Sequence, residues 1–412
     1  MLSTSSGASA RSGQHCEALA KAFAVQALTS SWRQELHQNP ELGFEEQFTS
    51  DFISRRLMEM GVEHHRGLAS TGIVAVLPGI TTSENSIAIR ADMDALPIEE
   101  ENDCSYRSTR PGVMHACGHD GHMAILLGAA KLLSEKRNFN GTVYLIFQPA
   151  EETGGGAGVM VREGLFSRFP ADRVYSLHNI PGIPVGTFAV RPGSVMASAD
   201  YFTISVRGRS CHAATPQEGV DPIVAAAQVV TALQTLVSRR VAPQDAITLS
   251  ITKIAGGDGQ NIIPQLVTLQ GTVRTLNPRL REQVEGLMKS IVGGTCAAFN
   301  AVGEITYSRL YPPVVNTQEE TCIAAETALG LVGQNGFRTD IAPMMGSEDF
   351  AFMLEAKPGA YIWMGNGSRE AGRRVLHGPQ YDFNDEALPY GIAYWLSLVE
   401  RSLPLNRSTS HV

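Results

Sequence analysis

The feature that most restricts how this chain can fold is the spread of its metal-type donors. Met114-His115-Ala116-Cys117-Gly118-His119-Asp120-Gly121-His122 crowds a thiol and three imidazoles into one short stretch. Gln148-Pro149-Ala150-Glu151-Glu152-Thr153-Gly154-Gly155-Gly156 adds paired carboxylates, and His178 and His377 follow separately. Both clusters read as turns at strand ends, where open α/β sheets carry their active sites. His377 lies 260 positions after Cys117 (377 − 117), so the two meet only if the end of the chain completes the domain that its beginning starts.

The pattern of elements allows that. Apolar helical spacing runs from Glu17 to about Met60 with a break at Asn39-Pro40, followed by short strands at Ile73–Leu77 and Ile87–Arg90. Met123–Leu133 reads as a buried helix, Thr142–Phe147 as a core strand ending at the double Glu, and Val174–Leu177 as the strand that delivers His178. Strand and helix alternate as in βαβ units, which implies a mostly parallel sheet. From Met196 the order becomes β-α-β-β-α-β: Tyr201–Val206, Pro222–Arg240, Ala246–Ile254, Leu266–Thr275, Leu280–Ala298 and Glu304–Leu310. That is the split βαβ, ferredoxin-like arrangement. After Asn316 the first rhythm resumes, with a strand at Ala360–Met364 and a helix over Leu388–Ser402. The expected fold is therefore α/β, with a metal-binding domain of residues 17–195 and 316–405 and an inserted lid domain of 196–315. At 412 residues and 43% hydrophobic composition the chain is long enough for two cores.

Composition narrows the functional classes. The net charge of −8 is dispersed and no Lys/Arg run forms a phosphate-tracking face, which argues against nucleic acid. Residues 1–16 read as a disordered Ser/Gly/Ala-rich tail, with neither the basic nor the apolar region of a signal peptide. No apolar run reaches the roughly 20 residues that a membrane helix needs. Six cysteines without a secretory signal read as reduced thiols, so the expected compartment is the cytoplasm.

Each donor has an ordinary reading when taken alone: a buried inert thiol for Cys117, solvated surface for Glu151-Glu152, packing residues for the histidines. Together they read differently. Cys117 and His119 are two apart, which separates them on a helix but lets both face one point in a turn containing Gly118. Adjacent carboxylates at a sheet end repel each other unless a cation or a raised pKa absorbs the charge. Cys117, His119, Glu152, His178 and His377 make five donors of the types that bind Zn, Mn, Co or Ni, enough for two divalent ions. Such a pair acidifies water and polarises a carbonyl, and Glu151 could serve as the unligated base. His37, beside a helix end, reads as structural. Ser347-Glu348-Asp349 reads as a helix N-terminus rather than a catalytic acid pair. One rival is a Cys117 nucleophile paired with a histidine and needing no metal.

The motifs resemble those of the dinuclear-metal aminoacylase and carboxypeptidase-G-type peptidase family, in its branch of hippurate hydrolases and auxin-conjugate hydrolases. They run through most of the chain: His37-Gln-Asn-Pro-Glu-Leu-Gly43, Arg90-Ala-Asp-Met-Asp-Ala-Leu-Pro97, Met114-His-Ala-Cys-Gly-His-Asp120, Gln148-Pro-Ala-Glu-Glu152, Gly256-Gly-Asp-Gly-Gln-Asn-Ile-Ile-Pro264, Gly271-Thr-Val-Arg-Thr275, Met345-Gly-Ser-Glu-Asp-Phe350 and Tyr381-Asp-Phe-Asn-Asp-Glu386. The resemblance implies that the five donors are metal ligands and Glu151 the general base. Where the broader family has His-x-Asp this chain has Asp92-Met93-Asp94, which leaves Asp94 to orient a ligand histidine. The resemblance also implies that Arg274 and Asn261 hold a substrate carboxylate and that His212 stabilises the oxyanion from its own or a partner subunit in a homodimer. The implied activity is hydrolysis of a small-molecule N-acyl amino acid to a carboxylic acid and a free amino acid. A dipeptidase or carboxypeptidase of the same fold, or a non-catalytic amino-acid-binding homologue, is the alternative.

Overall fold

The computed structural model describes residues 17–367 and 375–405, so the expected tail at 1–16 lies outside the described residues. The chain divides into two compact units. One comprises Met1–Gly193, Val315–Ile341 and Phe352–Val412; the other comprises Ser194–Val314 and Ala342–Ala351. Residues 342–351 thus group with the second unit, where the sequence reading puts them in the metal-binding domain. Pattern alone could not assign them, because residues 342–350 form no regular element apart from an isolated bridge at Met344.

The apolar runs of the first unit build an eight-stranded sheet from β1 (Glu63–Leu68), β2 (Gly72–Pro78), β3 (Thr81–Asp92), β4 (Asn140–Gln148), β5 (Arg173–Ile180), β6 (Phe188–Ala189), β7 (Phe337–Arg338) and β8 (Gly359–Gly365). Their order across the sheet is β1-β2-β4-β3-β5-β8-β6-β7. The central pairs β4–β3, β3–β5 and β5–β8 and the edge pair β6–β7 are parallel, and β1–β2, β2–β4 and β8–β6 are antiparallel. Parallel strands are covered on both faces, which is why Ile87, Ala88 and Ile89 and all seven residues of β8 are buried. β8 lies beside β5 with Trp363 opposite His178, so the late segment completes the early sheet.

Helices α1 (Gln26–Gln38), α2 (Gln47–Glu59), α3 (His119–Lys136) and α4 (Leu388–Ser402) pack in the same unit. A buried charge network joins α1 to the start of α3. Arg33 donates to Asp385 (2.8 Å) and Asp382 (3.3 Å) and approaches Asp120 (3.7 Å). His37 bridges Asp120 through Nδ1 (2.8 Å) and Glu100 through Nε2 (3.1 Å). Burial opposes charge on His37, but its bonds to Asp120 and Glu100 outweigh that and raise it to about 9. A raised histidine contributes its full stability below its ordinary pKa of 6.5 and loses it as pH rises through 9. The unfolding free energy from urea titrations should therefore fall between pH 6.5 and 9.5 in the wild type, by on the order of 2–3 kcal/mol, and fall less in His37→Gln. Equal slopes in the two proteins would remove His37 as the cause.

The second unit has the order Ala199–Arg207, helix Pro222–Thr235, Ile247–Ala255, Leu266–Thr275, helix Pro278–Ala298, Val302–Tyr311. Its sheet runs 247–255, 266–275, 199–207, 302–311, antiparallel throughout, which is the βαββαβ arrangement. Both helices start with the same chemistry. Asp221 accepts from the amides of Ile223 and Val224 ahead of Pro222, and Asn277 accepts from Arg279 and Leu280 ahead of Pro278. Val284, Met288, Val292 and Cys296, one turn apart, bury the inner face of the longer helix.

Candidate metal centre

Strands β3, β4 and β5 carry the chemistry-bearing side chains at or just beyond their C-terminal ends. Gly118 is the hinge of the Cys-Gly-His turn. It adopts φ +90° at the N-terminus of α3, and a β-carbon there would fall 2.4 Å from Asn179 Nδ2 and 2.5 Å from Tyr381 Oη. Cys117 and His119 consequently point to one place. Cys117 Sγ is 3.4 Å from His178 Nε2, and donor atoms of Cys117, His119 and Glu152 lie within 4.8 Å of one another. Glu152 Oε1 is 3.9 Å from His119 Nε2 and 3.2 Å from His377 Nε2. The backbone N–H of His377, at φ +63°, donates to the Ala116 carbonyl (2.8 Å) and fixes that loop on the turn. Four of the five donors are largely sheltered, whereas the His377 side chain is 53% exposed.

Behind the donors stands a hydrogen-bonded layer. His119 Nδ1 donates to the Asp94 carbonyl (2.8 Å), and Asp94 Oδ2 accepts the Glu152 amide (2.9 Å), so Asp94 steadies both residues. His178 Nδ1 donates to the Asn179 carbonyl (2.7 Å), which turns Nε2 towards the thiol. Asp92, His119, His122 and His178 form a second group of possible ligands, but His122 is already committed. Its Nδ1 meets Asp92 (2.7 Å) and its Nε2 accepts the Asn179 amide (3.0 Å), while Arg90 donates to Asp92 (2.7 Å). Asn179 Nδ2 further donates to the Cys117 carbonyl (2.6 Å), and Tyr381 Oη donates to Asn179 Oδ1 (2.9 Å). Sequence reasoning missed these supporting roles of Asp92, His122, Asn179 and Tyr381. The Asp92-Met93-Asp94 and Tyr381-Asp-Phe-Asn-Asp motifs marked the positions without indicating what they touch.

The donor set suits cations. His119 Nε2 is buried without a hydrogen bond among the described residues, an arrangement that costs roughly 1–3 kcal/mol unless something binds there, and the His377 imidazole is the near neighbour of Glu152 Oε1. Burial, then Glu152, Glu151 and Asp92, push the Cys117 thiol well up, and burial pushes His178 well down. Burial works against charge on His119, yet Asp92, Asp94 and Glu152 lift it to about 10; the bond to Glu152 raises His377. The pocket therefore retains protons that a divalent cation would displace. The same directions disfavour a thiolate–imidazolium nucleophile, which needs a low thiol and a raised histidine partner.

His212, Asn261 and Arg274 belong to the second unit. His212 is exposed on the two-residue strand Cys211–His212, opposite Ile262, and the Ala213 amide donates to the Asn261 carbonyl (2.9 Å). His212 Nδ1 accepts from the Ala214 amide (3.0 Å), which leaves the proton of the neutral ring on Nε2. Arg274 Nη1 donates to Ser347 Oγ (2.9 Å). Ser347 is thus not a helix cap: the helix begins at Ala351, and it is Glu348 that accepts from a nearby amide, Phe350 (2.8 Å).

A family model described as peptidase family M20/M25/M40 matches residues 88–401. Among curated relatives, a hippurate hydrolase of Campylobacter jejuni is 39% identical over 371 residues, covering 90% of this chain and 95% of its own. An N-acetyl-L-cysteine deacetylase of Bacillus subtilis is 38% identical and covers 92% and 87%. A solved Bacillus subtilis structure, described as a dinuclear metal-binding peptidase of the M20 family, superposes with a TM-score of 0.81 at 34% identity, over 92% of this chain and 98% of its own.

Proposed function

The chain belongs to peptidase family M20/M25/M40, and from that membership we propose that it is a metal-dependent amidohydrolase cleaving N-acyl amino acids to a carboxylic acid and a free amino acid. The observation that carries the reading is the convergence of a thiol, three imidazoles and Glu152, with Glu151 next in sequence. Two relatives named for acting on hippurate and on N-acetyl-L-cysteine share one reacting group, the amide of an N-acylated amino acid.

Cys117, His119, Glu152, His178 and His377 hold two divalent ions of the Mn, Zn, Co or Ni class. Such ions acidify water and polarise a carbonyl. Glu151 takes a proton from the attacking water and passes it to the leaving nitrogen. Arg274 and Asn261 hold the substrate carboxylate, and His212 donates from Nε2 to the developing oxyanion. Asp94 keeps His119 oriented. In this reading the enzyme works in the cytoplasm as a homodimer or higher homo-oligomer.

The test is amine release from a panel of hippurate, N-acetyl, indole-acetyl and long-chain N-acyl amino acids, alongside dipeptides, with metal analysis of the same preparation. Turnover of at least one N-acyl amino acid well above any dipeptide is expected. Preference for dipeptides would make the protein a peptidase of this fold, and turnover of none would point to a binding role.

A further inference from the structure

We propose that Glu46 is the positioning residue for the turn that bears Glu151 and Glu152. The inference rests on the reading of Glu151 as base.

That turn pivots on Ala150, a non-glycine residue at φ +54°. An alanine in the left-handed region persists only where its surroundings impose it. Here the Ala150 carbonyl accepts from the amides of Gly154 (3.3 Å) and Gly156 (3.0 Å), and its own amide donates to Glu46 Oε1 (2.9 Å). Glu46 is fully buried, and its other oxygen accepts from Thr71 Oγ1 (2.6 Å). The carboxylate is therefore held at both oxygens.

The segment leading to Glu46 is moulded to the same turn. A β-carbon on Gly43 would lie 2.9 Å from both Cα and Cβ of Ala150, and one on Gly154 would lie 2.2 Å from Phe44 Cε2. Phe44 is itself left-handed, at φ +66°. On the far side of Glu151, Asp94 Oδ2 holds the Glu152 amide (2.9 Å). Two buried carboxyl groups thus fix the backbone immediately before and immediately after the base. Burying a carboxylate is costly, and an apolar side chain would fill the same space at lower cost. Burial raises the Glu46 carboxyl to about 7, and what the group adds, protonated or not, is an oxygen aimed at the Ala150 amide.

The experiment uses the full metal-loaded chain with Glu46→Ala, Glu46→Gln and Thr71→Val. Three quantities are measured: kcat and KM on hippurate, metal affinity by competition with a chromophoric chelator, and thermal midpoint. In Glu46→Ala, kcat and metal affinity should each fall about 10–100-fold, with KM little changed. Glu46→Gln keeps an oxygen for the Ala150 amide and should recover to within severalfold of the wild type. Thr71→Val, with its fold intact, should lose severalfold in kcat and decides the matter should Glu46→Ala not fold. A folded Glu46→Ala or Thr71→Val with wild-type kcat and metal affinity overturns the proposal, as does Glu46→Gln impaired as deeply as Glu46→Ala. If hippurate is not a substrate of any form, the metal affinities still give the answer, and the failure then lies with the activity.

Discussion

A Glu151→Gln variant is expected to retain its metals at wild-type stoichiometry while losing about 10³-fold in kcat, within the range ascribed to a positioned general base. Glutamine has nearly the volume of glutamate and keeps one acceptor oxygen, so the turn between the anchored Ala150 and Glu152 amides should hold its shape. It cannot accept a proton. Because Glu151 is buried, bulk water cannot readily take over the transfer. KM should stay near the wild-type value, since the base does little for ground-state binding. Elemental analysis with steady-state kinetics on the best N-acyl amino acid checks both halves. A variant within tenfold of the wild type would take the base role away from Glu151.

Removing the metals should have a larger effect. Dialysis against a strong chelator is expected to abolish turnover, and adding back one or more of Mn, Zn, Co or Ni should restore it. Thermal stability should fall at the same time, because a ligand bound only by the folded state stabilises it by mass action. Without cations, the buried carboxylates of Asp92, Asp94 and Glu151 and the half-buried one of Glu152 lie close together, balanced in part by Arg90 and the raised His119. Iodoacetamide separates the readings. A thiol nucleophile keeps its rate in EDTA and is alkylated readily, whereas a ligating Cys117 becomes open to alkylation chiefly after chelation. Full activity in the stripped protein would rule out the metal-dependent reading.

The sequence made much of the fold legible because buried parallel strands and amphipathic helices leave periodic traces. Leu266–Thr275 and Leu388–Ser402 coincide with the observed elements, and the Pro222 helix starts where expected, whereas the longer helix starts two residues before the expected Leu280, at Pro278 behind its Asn277 cap. Elements without such traces were illegible. β6 and β7 are two residues each, too short for any period, and the polar first half of β3 does not look like a strand. At the site, donor identity was visible through chemical type and clustering. The tasks of His122 and Asn179 were not, because only tertiary placement puts a second hydrogen bond on each.

The place of β8 in the sheet constrains how the protein comes into being on the ribosome. β8 lies between β5 and β6, which precede it in the chain by well over 150 positions (359 − 189 = 170). Until it emerges, β5 lacks a neighbour along one edge and the His377 loop has not yet been synthesised. A nascent chain thus presents Cys117, His119, Glu152 and His178 well before His377, and a site that uses all five would be complete only after residue 377 has emerged. Slow, long-range closure of the sheet follows from that connectivity.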